Sequence, residues 1–195
     1  PAAFFAGIPG TIGGALAMNA GAFGGETWEH VESVETIDRD GELRNRARED
    51  FEVGYRSVSG TVAEWFLGAT FVFDEDRDAN MTDIKSMLRT RGDSQPLGKL
   101  SCGSVFRNPP GQFAAQLIER AGLKGTTIGD AIVSEKHANF IVNRGSATAT
   151  EIETLIETVR ERVAEHADSE LQLEVRIIGD APVDDSEERP VEETR

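Results

Sequence analysis

The 195-residue chain has 35 acidic and 20 basic residues, which gives a net charge of −15. This charge argues against nucleic acid and anionic membranes as partners, because both are bound through basic patches. A hydrophobic content of 38% predicts a globular protein, and no apolar run approaches the roughly 20 residues of a membrane span.

The chain holds one cysteine and three histidines at scattered positions. One cysteine excludes an internal disulfide framework and fits a reducing compartment, so we expect a cytoplasmic protein. No spacing typical of metal ligands is present, and we expect no metal site. The first residue is proline rather than methionine, and no signal-peptide pattern follows it. We therefore expect a fragment of a longer chain.

A glycine-rich segment, residues 6–26, opens the chain with seven glycines in "AGIPGTIGGALAMNAGAFGGE". Closely spaced glycines let backbone N–H groups approach a phosphate. The same composition is also typical of tight turns beside closely packed small residues. The segment is neither a dinucleotide fingerprint nor a P-loop, so both interpretations stay open on the residues alone.

The next elements are predicted to be strands. Residues 31–47 predict a hairpin with its turn at Asp40–Gly41, and residues 49–57 predict a polar connection. Residues 63–76 are rich in strand-forming residues. The candidates for burial in that stretch are Trp65, Leu67, Phe71 and Phe73.

A helix follows, capped by Asn80 or Thr82 and running to about Arg91. Residues 92–111 predict a loop that contains glycine and proline. The loop is longer than a simple connection between elements usually is, which indicates a functional loop. Residues 112–122 predict a short helix that ends at a glycine.

The last third alternates between strands and a helix. Residues 131–145 predict two short strands around a polar bend. Thr148 and Glu151 form a capping box that opens a helix to about His166, and residues 171–178 alternate as a strand does. Because helices and strands do not alternate strictly along the chain, the pattern favours an α+β fold.

Three polar residues are candidates for chemistry, each with a simpler alternative. Arg56 lies in a polar connection, where it is either solvated or placed to hold a carboxylate or phosphate. Ser104 follows a glycine in the long loop and could donate a proton or act as a nucleophile, although a turn serine is favoured. Glu174 shares a strand face with Arg176, for which a solvated surface pair is favoured.

His137 and Asn139 stand at a predicted strand start in "SEKHANFIVN". Taken singly, each is best explained by hydrogen bonds to nearby backbone.

The order of these motifs is more specific than any one of them. "YRSV" with "WFLGATF", then "GSVFRNPPG", "AAQLIERAGLKG", "IVSEKHANFIVN" and "LEVRIIG" follow the glycine-rich segment. Together they resemble the UDP-N-acetylenolpyruvoylglucosamine reductase family from about residue 4 to residue 180. The short interval between Arg56 and Ser104 resembles the family's shorter class, which lacks a tyrosine-bearing lid loop.

The resemblance implies a flavoprotein with a vanillyl-alcohol-oxidase-type FAD-binding fold. NADPH reduces FAD, and the reduced flavin passes a hydride to UDP-N-acetylglucosamine enolpyruvate, giving UDP-N-acetylmuramate for peptidoglycan and the cell wall. Residues 1–78 then correspond to the second half of the FAD-binding domain, and residues 79–180 to an α+β substrate-binding domain. Residues 181–195 are an acidic tail that we expect to be disordered. We expect a monomer.

The resemblance also assigns residues by motif. Arg56 matches the active-site arginine, Ser104 the serine that protonates the enol carbon, and Glu174 the active-site glutamate. The cofactor candidates are Gly10, Thr11, Ile12, Gly13, Gly14, Asn19 and Gly21. The weaker substrate candidates are Tyr55, Asn108, Lys136, His137 and Asn139. Cys102 is expected to be a small packed residue.

The family's first FAD subdomain has no counterpart in the sequence, so we expect this chain alone to bind FAD weakly or not at all. The residues leave two alternatives open. One is a related flavin oxidoreductase of the same fold acting on another substrate. The other is a non-catalytic fragment that binds a UDP-sugar.

Overall fold

A computed structural model describes residues 2–60, 63–74, 81–167 and 169–179. Its buried residues form two hydrophobic clusters. The first cluster contains Leu16, Trp28, Val31, Val34 and Phe51. The second cluster lies between Val105 and Leu171 along the chain and is the larger of the two.

The glycine-rich segment contains a helix that the sequence did not predict, α1, Ile12–Met18. Thr11 caps it, because its hydroxyl oxygen accepts a hydrogen bond from the backbone N–H of Gly14. The helix ends at Asn19, whose φ of 44° is left-handed. A 3-10 helix, Ala2–Phe5, precedes it. Strands β1, Gly21–Ala22, and β2, Gly25–Glu26, and a 3-10 helix, Thr27–Glu29, follow it.

A three-stranded antiparallel sheet covers the first cluster. Strand β3, Val31–Asp38, is central, with β4, Leu43–Ala47, on one side and β7, Glu64–Phe71, on the other. The predicted hairpin of residues 31–47 is confirmed by the β3–β4 pairing, and Gly41 in its turn has a φ of 84°.

The predicted burial of β7 is wrong for several side chains. Trp65 and Leu67 are 53% and 54% exposed, and Phe73 beyond the strand is also exposed, whereas Phe66 and Ala69 pack on the first cluster. The stretch is apolar on both faces, so the sequence pattern could not show which face turns inward. Phe71 is partly buried against the cluster, as expected.

The predicted polar connection of residues 49–57 is also wrong, because most of the stretch forms a 3-10 helix and a short hairpin. A 3-10 helix, Arg48–Asp50, leads into β5, Glu52–Gly54, which pairs with β6, Ser57–Ser59. The two-residue turn lacks the usual glycine or asparagine, and Arg56 adopts a left-handed φ of 52° there.

The second half begins with α2, Met81–Ser94, which extends past the predicted end at Arg91. Of the two proposed caps, Asn80 lies outside the described residues, and Thr82 lies within the helix rather than before it. Helix α3 spans Ala114–Arg120 and lies within the predicted stretch 112–122.

A small antiparallel sheet and a long helix complete the second half. Strands β8, Thr127–Ile128, β9, Ala131–Val133, and β10, Ile141–Asn143, pair in the order β10-β9-β8. The two predicted strands around a polar bend are therefore confirmed. Helix α4, Ala149–His166, starts at the predicted Thr148–Glu151 capping box and turns an apolar stripe into the second cluster. The buried residues of the stripe are Leu155, Ile156, Val159 and Val163.

The strand predicted over residues 171–178 does not form as a regular strand. Leu173 makes one isolated bridge to Phe106, and the Arg107 backbone N–H donates to the Gln172 carbonyl at 2.8 Å. The neighbouring chain is a loop rather than a strand, so the alternating pattern has no continuous hydrogen-bonding partner. The expected acidic tail, residues 181–195, lies outside the described residues.

In the described ranges, none of the helices combines the length and the apolarity that crossing a membrane would require.

Candidate active site

A cavity of about 970 Å³ lies between the glycine-rich segment and the second half of the chain. The glycine-rich segment supplies one wall, and helix α2 with the loop before Ser104 supplies another. Arg56, Ser104 and Glu174 all line this cavity. Three residues from distant parts of the sequence are thus brought to one place.

The Arg56 guanidinium is held by both halves of the chain. Its Nε donates to Glu174 Oε1 at 3.2 Å, across 118 residues of sequence. Its Nη1 donates to the carbonyl oxygen of Asn19 at 3.2 Å, and its Nη2 to that of Gly21 at 3.0 Å. The Tyr55 ring lies under the guanidinium at 4.9 Å from Cζ to the ring centroid. These contacts fix the orientation of a planar cation beside the cavity.

Glu174 is tied to the loop that carries Ser104. Its backbone N–H donates to the Val105 carbonyl at 2.8 Å, while its carboxylate pairs with Arg56. The surface pair between Glu174 and Arg176 does not form, since Arg176 lies beside Met18 instead. Glu174 therefore lines the cavity as the ion-pair partner of Arg56.

Ser104 is half-buried and forms an isolated bridge to Phe140. Within the described ranges its hydroxyl has no hydrogen-bond partner, so the hydroxyl is available to a ligand. The two residues after Ser104 are held by Asn139. The Val105 N–H donates to the Asn139 carbonyl at 2.9 Å, and the Phe106 N–H donates to Asn139 Oδ1 at 2.9 Å.

Asn139 is a buried clamp rather than a cavity residue. It is 3% exposed, and its Nδ2 donates to the Phe106 carbonyl at 2.8 Å, so its amide pairs with both backbone groups of Phe106. This geometry agrees with the hydrogen-bonding interpretation of Asn139 from the sequence. It also ties Asn139 to the two residues that follow Ser104.

Replacing Asn139 with alanine is expected to lower the free energy of unfolding by about 2–4 kcal/mol, because two buried backbone groups of Phe106 lose their partners. Urea unfolding measures this change. Asn45→Ala is the control, since Asn45 is exposed on β4 and should change stability by less than about 0.5 kcal/mol. Equal effects of the two substitutions would contradict the clamp.

The glycines of the opening segment have two different roles. A Cβ at Gly7, which has a φ of 79°, would come within 2.6 Å of Leu88 Cδ2 on α2, and one at Gly21 within 2.6 Å of the Gly25 carbonyl. At these positions the bare backbone permits close packing. At Gly10, with a φ of 128°, no atom lies within 4 Å of the added Cβ. Gly10 therefore leaves open backbone at the cavity wall, which fits a phosphate-bearing group such as FAD.

The cofactor candidates divide into two groups. Five of them line the cavity: Gly10, Thr11, Ile12, Gly14 and Gly21. Gly13 and Asn19 do not line it, and Asn19 is 1% exposed. The Asn19 side chain donates to Glu26 Oε2 at 2.8 Å and to the Gly54 carbonyl at 3.1 Å, and accepts from the Trp28 N–H at 3.1 Å.

The remaining substrate candidates lie outside the cavity wall. Tyr55 is exposed beside Arg56, and Asn108 Oδ1 accepts from the Ala114 N–H at the start of α3. Lys136 donates to the Gly92 carbonyl and lines a second groove of about 620 Å³. Burial lowers the pKa of His137, whose Nδ1 is buried without a hydrogen-bond partner in the described part of the chain.

Two charged residues at the site, one in the cavity wall and one beside Arg56, were not identified from the sequence. Arg91 on α2 lines the cavity, its Nε donates to Gln95 Oε1 at 2.9 Å, and burial lowers its pKa. Nothing in the local sequence separates it from the exposed Arg89 two residues earlier. Glu26 at the end of the glycine-rich segment lies 3.9 Å from Arg56. The sequence did offer a hint, because Glu26 is the one carboxylate in the glycine-rich segment and stands at its end.

The expectation of a packed Cys102 is wrong. Cys102 is exposed and lines the cavity, because it lies in the loop that approaches the glycine-rich segment. Partial burial of its thiol nevertheless raises the pKa of Cys102.

Comparisons with known proteins agree with this architecture. Residues 95–178 match the profile of the UDP-N-acetylenolpyruvoylglucosamine reductase C-terminal domain, and residues 1–46 match that of an FAD binding domain. The UDP-N-acetylenolpyruvoylglucosamine reductase of Alkalilimnicola ehrlichii is 59% identical over 181 residues, which cover 92% of this chain and 61% of the relative. The UDP-N-acetylenolpyruvoylglucosamine reductase of Coxiella burnetii is 56% identical over 178 residues, which cover 91% of this chain and 56% of the relative.

A solved structure is similar as well. The crystal structure of UDP-N-acetylenolpyruvylglucosamine reductase from Thermus caldophilus superposes with a TM-score of 0.78 at 34% identity. The match covers 90% of this chain and 63% of that protein. The chain therefore spans about three fifths of the length of the proteins it resembles.

Proposed function

Because this chain belongs to the UDP-N-acetylenolpyruvoylglucosamine reductase family, we propose that the complete protein reduces UDP-N-acetylglucosamine enolpyruvate to UDP-N-acetylmuramate, with FAD as cofactor and NADPH as reductant. The observation that carries the proposal is the meeting of Arg56, Ser104 and Glu174 at one cavity, opposite the open backbone at Gly10. The product is a peptidoglycan precursor, and we propose that the enzyme is a cytoplasmic monomer.

The division of labour between the two halves is part of the proposal. Residues 1–78 contribute to the FAD-binding domain and residues 79–180 form the substrate-binding domain. The two separate hydrophobic clusters support this division. The cavity lies where the halves meet, so a ligand in it contacts both.

The cavity-lining residues Gly10, Thr11, Ile12, Gly14 and Gly21 are the candidates for holding FAD. When bound, FAD carries hydride equivalents between NADPH and the substrate. The chain's own residues bind and orient the substrate and donate the proton to it.

Arg56 is proposed to stabilise the negative charge that forms during reduction. Addition of a hydride to one carbon of the enolpyruvyl double bond leaves an electron pair on its neighbour, delocalised into the carboxylate. A fixed guanidinium beside that carboxylate stabilises this charge without reorganising. Glu174 and the carbonyls of Asn19 and Gly21 hold the guanidinium in place.

Ser104 is proposed to complete the reaction by giving its hydroxyl proton to the neighbouring carbon. The new C–H bond takes up the electron pair, and the serine oxygen regains a proton from solvent or a neighbour. A serine hydroxyl is a weak acid, so this step depends on a charged environment. Arg56 and Glu174 at the same cavity supply that environment.

The proposed function is tested on the complete purified protein. We expect flavin absorbance bands, NADPH oxidation that requires UDP-N-acetylglucosamine enolpyruvate, and UDP-N-acetylmuramate as the product by mass spectrometry. NADPH oxidation that does not need this substrate would indicate another flavin oxidoreductase. Binding of the UDP-sugar without oxidation of NADPH would indicate a binding module.

Cys102 offers a test that does not depend on turnover. It is the chain's single cysteine and lines the cavity. Alkylation by iodoacetamide is expected to be several-fold slower when the enolpyruvyl substrate is bound.

The pH dependence of the same reaction is a second expectation. Because the pKa of Cys102 is raised, the alkylation rate should keep rising with pH beyond the usual thiol value of about 8.5. Mass spectrometry measures the rate, the urea-unfolded protein is the control, and equal rates with and without substrate would count against ligand binding in this cavity.

A further inference from the structure

A second carboxylate stands beside Arg56 and has no part in the proposal above. Glu26 Oε1 lies 3.9 Å from Arg56 Nη1, whereas Glu174 contacts the Nε of the same guanidinium. The Arg56 and Glu26 side chains are 18% and 34% exposed, so the pair is partly shielded from solvent. At this separation and exposure the attraction is modest, but it acts on a side chain that is already held at other points.

Glu26 is itself held in place. Its other carboxylate oxygen, Oε2, accepts a hydrogen bond of 2.8 Å from Asn19 Nδ2, and its backbone N–H donates to Glu29 Oε2 at 3.0 Å. The Asn19 side chain is buried. Its Nδ2 also donates to the Gly54 carbonyl, and its Oδ1 accepts from the Trp28 N–H. A carboxylate anchored to a buried amide keeps a fixed position, which a solvated surface glutamate does not.

Asn19 connects the two partners of the guanidinium. Its carbonyl oxygen accepts from Arg56 Nη1, its Nδ2 holds Glu26, and the same Nδ2 donates to Gly54, two residues before Arg56. One left-handed residue at the end of α1 therefore fixes the guanidinium, its second carboxylate and the turn that carries the arginine.

We propose that Glu26, anchored by Asn19, is a positioning residue for Arg56. Together with Glu174 it holds the guanidinium between two negative charges in the orientation that the substrate carboxylate meets. Asn19 then acts through this contact rather than as a ligand of the cofactor. The inference rests on the proposed reductase activity for its kinetic test, and on the contacts of Arg56 alone for its spectroscopic test.

The kinetic test uses Glu26→Gln in the complete protein. Glutamine keeps the size and a hydrogen-bond acceptor for Asn19 but removes the charge. We expect kcat for the enolpyruvyl substrate to fall about tenfold while its KM does not rise, because an unrestrained guanidinium still attracts the carboxylate but holds it less well oriented. The rate of flavin reduction by NADPH should not change.

Glu32→Gln is the matched control, since it removes the same charge from a nearby exposed position on β3 that does not contact Glu26 or Arg56. It should leave kcat within about twofold of the parent. A double-mutant cycle with Arg56→Lys separates positioning from general damage. The effect of Glu26→Gln should vanish in the Arg56→Lys background, because residues that act through one another are not additive. Additive losses, or a rise in KM alone, would overturn the proposal.

A second measurement does not need turnover. Nuclear magnetic resonance of the ¹⁵N-labelled protein reports exchange of the Arg56 Nε–H with water, and we expect it to be about tenfold faster in Glu26→Gln than in Glu32→Gln. If the parent protein has no reductase activity, the proposed function fails and this exchange rate still decides the role of Glu26. Equal exchange in both variants would overturn the positioning role.

Discussion

Replacing Ser104 with alanine is expected to lower turnover of the enolpyruvyl substrate by about 10²–10⁴-fold, the range that loss of a positioned proton donor produces. Reduction of bound flavin by NADPH should stay within about twofold of the parent rate, because Ser104 takes no part in that half-reaction. Stopped-flow absorbance of the flavin measures the two half-reactions separately.

The structure indicates that replacing Ser104 with alanine removes the hydroxyl without disturbing the loop. The Ser104 backbone bridges Phe140, and Asn139 holds the next two residues, so the loop keeps its position without the hydroxyl. The hydroxyl has no hydrogen-bond partner among the described residues that its removal would leave unsatisfied. Ser146→Ala, at an exposed site outside the cavity, is the control and should have no effect. Equal losses in both half-reactions would reject Ser104 as the proton donor.

Replacing Arg56 with lysine is expected to lower turnover by about 10²–10³-fold, although the charge is retained. The planar guanidinium reaches Glu174 and two backbone carbonyls at once, and a single ammonium group cannot match all three directions. Lysine and arginine face the same backbone strain at the left-handed φ of 52°, so the comparison isolates the head group. Steady-state kinetics with the enolpyruvyl substrate measures the loss.

Arg48→Lys provides the control for structural damage. Arg48 also donates to two backbone carbonyls, those of Trp28 and Phe51, but it is not part of the cavity wall. This variant should lower the melting temperature without changing kcat. If Arg56→Lys keeps near-normal turnover, or if Arg48→Lys loses turnover equally, the contact of Arg56 with the transition state is contradicted.

Local signals in the sequence predicted local structure well. The Thr148–Glu151 capping box and the periodic stripe after it define helix α4, because both signals act within a few residues. The Asp40–Gly41 turn likewise defines the β3–β4 hairpin. These elements need no information from distant parts of the chain.

Burial and pairing depended on distant parts of the chain and were predicted less well. Trp65 and Leu67 are as apolar as Phe66, and only the packing of β7 on the first cluster decides which side turns inward. Residues 171–178 alternate like a strand, yet their neighbour is the loop after Ser104 rather than a strand edge. A pattern reports what a segment is able to do, and the neighbouring elements decide which option is used.

The candidate site shows the same limit. Arg56 and Glu174 lie 118 residues apart, and their local patterns favoured solvated side chains. Only the resemblance of the ordered motifs placed them at one site. Glu26 and Arg91 lay outside those assignments and emerged only from their distances to Arg56 and to the cavity.

The unequal surroundings of the two tryptophans have an optical consequence. Trp28 is 2% exposed, packs on Phe51 and donates to the Leu16 carbonyl, so its emission should be blue-shifted, whereas Trp65 should emit to the red and be quenched by iodide. Both tryptophans and the chain's one tyrosine, Tyr55, lie before residue 66, in the part of the chain that contains the first cluster. Intrinsic fluorescence therefore follows the melting of the first cluster only. The longest helix, α4, packs in the second cluster, so its loss in the far-ultraviolet circular dichroism signal reports on that cluster. Any gap between the fluorescence and circular dichroism curves measures how independently the two clusters unfold.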